Sequence, residues 1–177
     1  MSKYIALLRG INVGGKNKIA MPQLKAVFEE SGFTEVSTYI NSGNIVFCSV
    51  QDDELYIREV CEAAILSKFN LQIPVTILSV KDLAEAMEHA PAWWGTDPAS
   101  KHNAIFVIPP ATSEDIMAQV GEAKPEYEQI SSFGRVIFWS APSKTFSRTR
   151  WSKIVGTAAY HSITIRNANT TKKLLQL

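Results

Sequence analysis

The succession of hydrophobic periods over residues 1–80 constrains this chain more than any other feature. Tyr4, Ile5, Ala6, Leu7 and Leu8 form a near-continuous apolar run, the pattern of a strand buried on both faces. A glycine-rich loop, Gly10-Ile11-Asn12-Val13-Gly14-Gly15-Lys16-Asn17-Lys18, follows it. Pro22 then suits a first helical turn, Leu24, Val27 and Phe28 repeat at helical spacing, and Gly32 closes that helix. Val36–Ile40 and Ile45–Cys48 read as strands joined by the hairpin turn Asn41-Ser42-Gly43-Asn44. Asp52 and Asp53 cap an amphipathic helix running to Phe69, with Ile57, Val60, Cys61, Ala64, Ile65 and Phe69 on one face, and Pro74–Leu78 is a fourth strand. The order is βαββαβ, the ferredoxin-like pattern of an antiparallel sheet with two helices on one side.

The order recurs. After a helix over 81–90 and a break at Pro91-Ala92-Trp93-Trp94-Gly95-Thr96-Asp97-Pro98, strands are expected over 103–108, 126–132, 136–140 and 162–166, with helices over 113–122 and 149–155. A last helix covers 169–177. The expected class is α+β, an α/β sandwich of two ferredoxin-like βαββαβ subdomains with mainly antiparallel sheets and a C-terminal helix. The first subdomain spans 1–80, a helix and Pro/Trp-rich linker 81–101, and the second subdomain 102–177. In the linker, Trp93 and Trp94 read as filling a subdomain interface, with a stacking platform as the alternative.

Charge is segregated although the net charge is only +1. Residues 1–28 carry five cations and no acid, residues 29–128 carry all 17 acids against five cations, and residues 129–177 carry eight cations and no acid. Either the basic ends share one anion-attracting face, or they pair with the acidic middle inside the fold. Two cysteines, Cys48 and Cys61, are too few for a disulfide scaffold and read as buried small hydrophobes. No apolar run is long enough to span a membrane, and the basic-then-apolar start, cut short by Arg9, reads as a first strand of a cytoplasmic protein.

Gly10, Gly15 and Lys16 have the G-x-x-x-x-G-K spacing of a phosphate-binding loop. Asn17 stands where that loop needs Ser or Thr, and the helix starts only near Pro22, so an NTPase is disfavoured. What remains is a long loop in which Gly14 and Gly15 allow close backbone approach to a ligand, with Arg9, Lys16 and Lys18 adding positive charge. In a βαββαβ unit this loop and the Ser42-Gly43-Asn44 turn leave the sheet at the same edge, which makes the turn a candidate donor.

The run Tyr4–Lys16, Met21 with Leu24, Thr38-Tyr39-Ile40 with Ser42-Gly43-Asn44, and Thr164-Ile165-Arg166-Asn167-Ala168-Asn169-Thr170 resemble the bacterial family of domain of unknown function 1697. That family usually has Trp where Ala168 stands. The resemblance implies paired ferredoxin-like subdomains and a bacterial source; it brings no activity and no catalytic residues.

Other chemistry is thinly represented. His89, His102 and His161 have no metal-ligand spacing, and no metal site is expected. No G-x-S-x-G elbow supports a Ser-His-Asp hydrolase. A general base, if a reaction exists, would come from the acidic middle or from His161; the sequence names neither reaction nor cofactor. The expected function is binding of a small phosphorylated or carboxylated ligand. Arg9, Gly10, Asn12, Gly14, Gly15, Lys16, Lys18, Ser42, Gly43 and Asn44 would hold one side, and Arg166 with Asn167 the other. The alternatives are a nucleic-acid-binding module using the basic segments 1–28 and 129–177, where Phe146 and Trp151 interleave with Lys144, Arg148, Arg150 and Lys153, or a structural or protein-interaction domain.

Overall fold

The computed structural model describes all 177 residues, which divide into two compact units, Met1–Leu83 with Leu174–Leu177, and Ala84–Lys173. In the first unit β1 (Ser2–Leu8), β2 (Thr34–Tyr39), β3 (Asn44–Ser49) and β4 (Val75–Ser79) form an antiparallel sheet in the order β2-β3-β1-β4. The intervening segments are α1 (Met21–Glu30) and α2 (Glu54–Phe69). This is the expected βαββαβ arrangement, and Tyr4 to Leu8 are all buried.

The helices form where the apolar spacing calls for them. Leu24, Val27 and Phe28 of α1 are buried, as are Ile57, Cys61 and Ile65 of α2, the latter at i, i+4 and i+8. Leu24, Phe28, Ile57, Cys61 and Ile65 join Ala6, Leu8, Ile45, Phe47, Val75 and Ile77 from the sheet in one hydrophobic core. Phe33 and Phe47 lie 4.5 Å apart between ring centroids, and Phe28 and Phe47 meet edge-to-face at 5.4 Å. Asp53 caps α2, its carboxylate accepting from the Leu55 and Tyr56 amides at 2.9 and 3.2 Å. Its neighbour Asp52 instead accepts from the Ser2 hydroxyl at 2.9 Å.

The second unit follows α3 (Val80–Glu88), which carries the boundary, and repeats the topology. Strands β5 (Ser100–Val107), β6 (Gln129–Phe133), β7 (Val136–Pro142) and β8 (Ile163–Asn167) are antiparallel in the order β6-β7-β5-β8. The remaining elements are α4 (Ser113–Val120) and α5 (Ala168–Leu174). At the place of the second crossover helix stand three 3-10 turns, Ser143–Arg148, Trp151–Gly156 and Ala158–Ser162. The single helix expected over 149–155 is corrected accordingly. The Thr149 hydroxyl donates to the Phe146 carbonyl at 2.7 Å and accepts from the Ser152 amide at 3.1 Å, local bonds that compete with an α-helical ladder. With three residues per turn, Trp151 and Ile154 face inward while Val155, helically expected beside them, is 59% exposed.

The buried Glu128 carboxylate holds this segment in place. It accepts from the amides of Lys124, Arg150 and Trp151 at 3.1, 2.6 and 3.0 Å, satisfying donors at the start of a 3-10 turn. Trp94 is buried, edge-to-face on Phe138 at 5.0 Å, and its indole N–H donates to the Asn103 carbonyl at 2.8 Å. No helix is long and apolar enough to cross a membrane.

Candidate functional site

The loop between β1 and α1 is folded back on itself. Val13 and Lys16 bridge as a miniature hairpin, the Lys16 amide donating to the Val13 carbonyl at 3.0 Å. The two central residues, Gly14 and Gly15, have φ of 57° and 75°, the paired positive values of a type I′ turn that glycine adopts without penalty. Asn12 fastens this hairpin to the rest of the unit. Its amide nitrogen donates to the Ile19 and Asn41 carbonyls at 2.9 and 2.8 Å, and its oxygen accepts from the Ile19 amide at 2.8 Å. The Asn17 amide donates to the Gly10 carbonyl at 3.0 Å. The amides of Asn12 and Lys16 are therefore spent inside the loop rather than pooled into a concave phosphate nest.

The β2–β3 turn meets this loop at the shared sheet edge, as topology requires. Leu7 pairs with Asn44, and the Leu8 amide donates to the Gly43 carbonyl at 2.9 Å. Asn44 is buried, its amide donating to the Tyr39 carbonyl and the Ser42 hydroxyl at 3.0 and 2.8 Å.

Beside the loop opens a cavity of about 420 Å³, lined by Asn12, Gly15, Lys18 and Asn41 and by the start of α1 at Ala20 and Met21. Two features make it electropositive. Lys16 and Lys18 are exposed, with no carboxylate paired to either, and Lys18 reaches the cavity wall. The N-cap of α1 is Ala20, which offers no side-chain acceptor, and its first turn holds Pro22 and no acidic residue. The positive end of the helix dipole is left unneutralised there.

Of the residues named from sequence, Asn12, Gly15 and Lys18 line this cavity, and Gly10, Gly14 and Lys16 belong to the exposed part of the same loop. Arg9 is half-buried at the loop's root, where its backbone amide donates to the Pro74 carbonyl at 3.0 Å. Ser42, Gly43 and Asn44 build the supporting turn and stand outside the lining. Asn41 and the uncapped start of α1 were not singled out by sequence reasoning, although an alanine two residues before Pro22 was a legible sign of a helix without a capping side chain.

Arg166 and Asn167 belong to the second unit. Arg166 is only 8% exposed; its guanidinium donates to the Thr164 hydroxyl at 2.8 Å and the Ile165 carbonyl at 2.9 Å. Burial pushes its pKa down to about 10. Asn167 ends β8, and its side-chain oxygen accepts from the Thr170 amide at 2.8 Å. Lys144, Arg148 and Lys153 are exposed on the 3-10 turns and Arg150 between two of them, but the aromatics among these cations are turned inward: Trp151 is buried and Phe146 packs against the core. Both cysteines are buried, and burial raises the pKa of each thiol. No group of three or more His, Cys, Asp or Glu side chains is placed to hold a metal ion.

A family model described as protein of unknown function (DUF1697) matches residues 1–138. The chain belongs to the DUF1697 family. Among solved structures it is similar to the conserved bacterial protein SP0830 from Streptococcus pneumoniae, with 34% sequence identity, a TM-score of 0.86, and coverage of 99% of this chain and 97% of that one. No curated protein matches the chain. That likeness of fold extends across both units, including the 3-10 segment beyond residue 138, where the family model ends.

Proposed function

We propose that the first unit binds a small phosphorylated or carboxylated ligand in the cavity between the glycine-rich loop and α1. The observation that carries this reading is that Lys18 and the uncapped start of α1 line one cavity of about 420 Å³. A helix N-terminus without a side-chain acceptor favours an anion, and a neighbouring ammonium adds a charge-assisted contact. Asn12 and Asn41 hold the loop against the β2–β3 turn, so the cavity wall is fixed before a ligand arrives.

Lys16 extends from the tip of the same loop and supplies a second, outer cation. The reading is confined to the first unit, and Arg166 and Asn167 have no role in it. A nucleic-acid module would instead use the exposed cations of segments 1–28 and 129–177, and the inward-turned Trp151 is withdrawn from the stacking that such binding uses.

Titration of the full chain with inorganic phosphate, pyrophosphate and ATP by calorimetry tests the proposal. A charge-assisted hydrogen bond contributes about 1.5–3 kcal/mol, so Lys18→Ala should weaken binding about tenfold or more, and Lys16→Ala less. Unchanged affinity in the Lys16→Ala/Lys18→Ala double variant refutes the site. Binding of duplex DNA whose affinity falls steeply with salt, without any response to the small anions, would favour the nucleic-acid module on the basic segments 1–28 and 129–177 instead.

A further inference from the structure

A second constellation lies wholly in the other unit. Antiparallel pairing sets His102 of β5 directly opposite Ser140 of β7, and their side chains meet, His102 Nδ1 to Ser140 Oγ being 2.6 Å. The other ring nitrogen, Nε2, lies 2.7 Å from the Asp97 backbone carbonyl. A carbonyl oxygen only accepts, so Nε2 carries the proton in this bond. In the neutral imidazole Nδ1 then presents its lone pair, and the Ser140 hydroxyl must be the donor.

The carbonyl that fixes the tautomer is itself held. The Asp97 carboxylate accepts from the Ala99 amide at 2.9 Å and the Ser100 hydroxyl at 2.8 Å, closing the turn that aims its carbonyl at the ring. A serine proton pointed at an imidazole whose far nitrogen is anchored is the arrangement that activates a hydroxyl as a nucleophile. Ser140 is 4% exposed, and the access it has is into a cavity of about 370 Å³ that it lines together with His102. Gln129 also lines this cavity and pairs with Ser140 across the β6–β7 register, so its carboxamide shares the face on which negative charge would develop.

We propose that Ser140 and His102 are a nucleophile and its base, able to open a small uncharged ester in the cavity beside Trp93. The walls favour a neutral acyl group: Trp93, Pro125, Tyr127 and Pro142 contribute apolar surface, and the Glu126 carboxylate disfavours an anion. In the step, Ser140 Oγ bonds to the acyl carbon and its proton passes to His102 Nδ1. The ester C–O bond breaks, and the alcohol leaves with that proton. Water then attacks the acyl-serine, gives a proton to Nδ1, and the acyl–Oγ bond breaks as Ser140 regains its hydrogen and the acid is released. None of these residues belongs to the anion cavity of the first unit, so either reading can fail alone.

The full chain, incubated with a fluorophosphonate probe and digested for peptide mass mapping, should carry the adduct on Ser140. It should also release nitrophenolate from p-nitrophenyl acetate, with the rate falling about a hundredfold in Ser140→Ala and in His102→Gln. Circular dichroism establishes whether each variant is folded. If Ser140→Ala does not fold, Ser140→Cys asks the same question: its thiol should be alkylated by iodoacetamide at least tenfold faster with His102 present than in the His102→Gln background. An unlabelled Ser140 in the folded wild-type chain, or labelling and alkylation rates indifferent to His102→Gln, overturns the proposal.

Discussion

Substituting Gly43 tests the joint on which the anion cavity rests. Gly43 has φ of +82°, where an L side chain costs about 1–2 kcal/mol. A Cβ built there would also lie 2.7 Å from Leu8 Cβ and 3.0 Å from Ile11 Cδ1. Leu8 Cβ is fixed to the central strand and cannot swing aside, and both residues are buried, so the turn must move away from β1. Such overpacking costs roughly 1–3 kcal/mol, which brings Gly43→Ala to about 3 kcal/mol in all. Gly14 provides the control. Its φ is +57°, yet nothing lies within 4 Å of its added Cβ, so Gly14→Ala meets only the conformational penalty, about 1 kcal/mol. Thermal unfolding followed by circular dichroism should show Tm falling by about 9 °C for Gly43→Ala and about 3 °C for Gly14→Ala at this chain length. Because Gly43 holds Leu8 and Asn41, two residues earlier in the same turn, holds Asn12, phosphate binding should also weaken in Gly43→Ala before the protein unfolds. Equal destabilisation by the two substitutions would refute the claim that close packing, and not backbone conformation alone, demands glycine at this turn.

Two further outcomes are expected. Glu128→Ala strips the acceptor from the amides of Lys124, Arg150 and Trp151 and should destabilise the second unit by about 3 kcal/mol, with Glu128→Gln losing less because one oxygen remains; denaturant midpoints separate the two, and a neutral Glu128→Ala would show that water replaces the carboxylate. The Asp97 carboxyl is held below its ordinary 3.8 by the Ala99 amide and the Ser100 hydroxyl. It therefore adds stability that is present above that value and lost as pH falls below it, so Asp97→Asn should flatten the acid limb of a Tm-versus-pH curve, and an unaltered limb would contradict the assignment.

The elements of the first unit were legible because each has a single strong period or punctuation. The apolar run Tyr4–Leu8, the Asp53 cap and the i, i+4 spacing of Ile57, Cys61 and Ile65 act over one or two turns of chain, and the structure places them within a residue or two of expectation. The segment after β7 was less legible. Its apolar spacing suits an α-helix, but the hydroxyls of Thr149 and Thr157 bond to nearby carbonyls and settle the competition for 3-10 turns.

Sequence alone determined the paired βαββαβ topology, the long glycine-rich connection and the basic character of that connection. These follow from local periodicity and from the rule that sequential strands and their crossovers return to a fixed edge of the sheet. Tertiary structure decided which polar groups remain available for chemistry. Ser42 and Asn44, obvious donors on paper, are absorbed into their own turn, while His102 and Ser140, separated by 38 positions, are joined by a strand register that no local pattern encodes. Register is fixed by the burial of whole sheet faces, and a slip of one residue between β5 and β7 would have put the two side chains on opposite faces of the sheet.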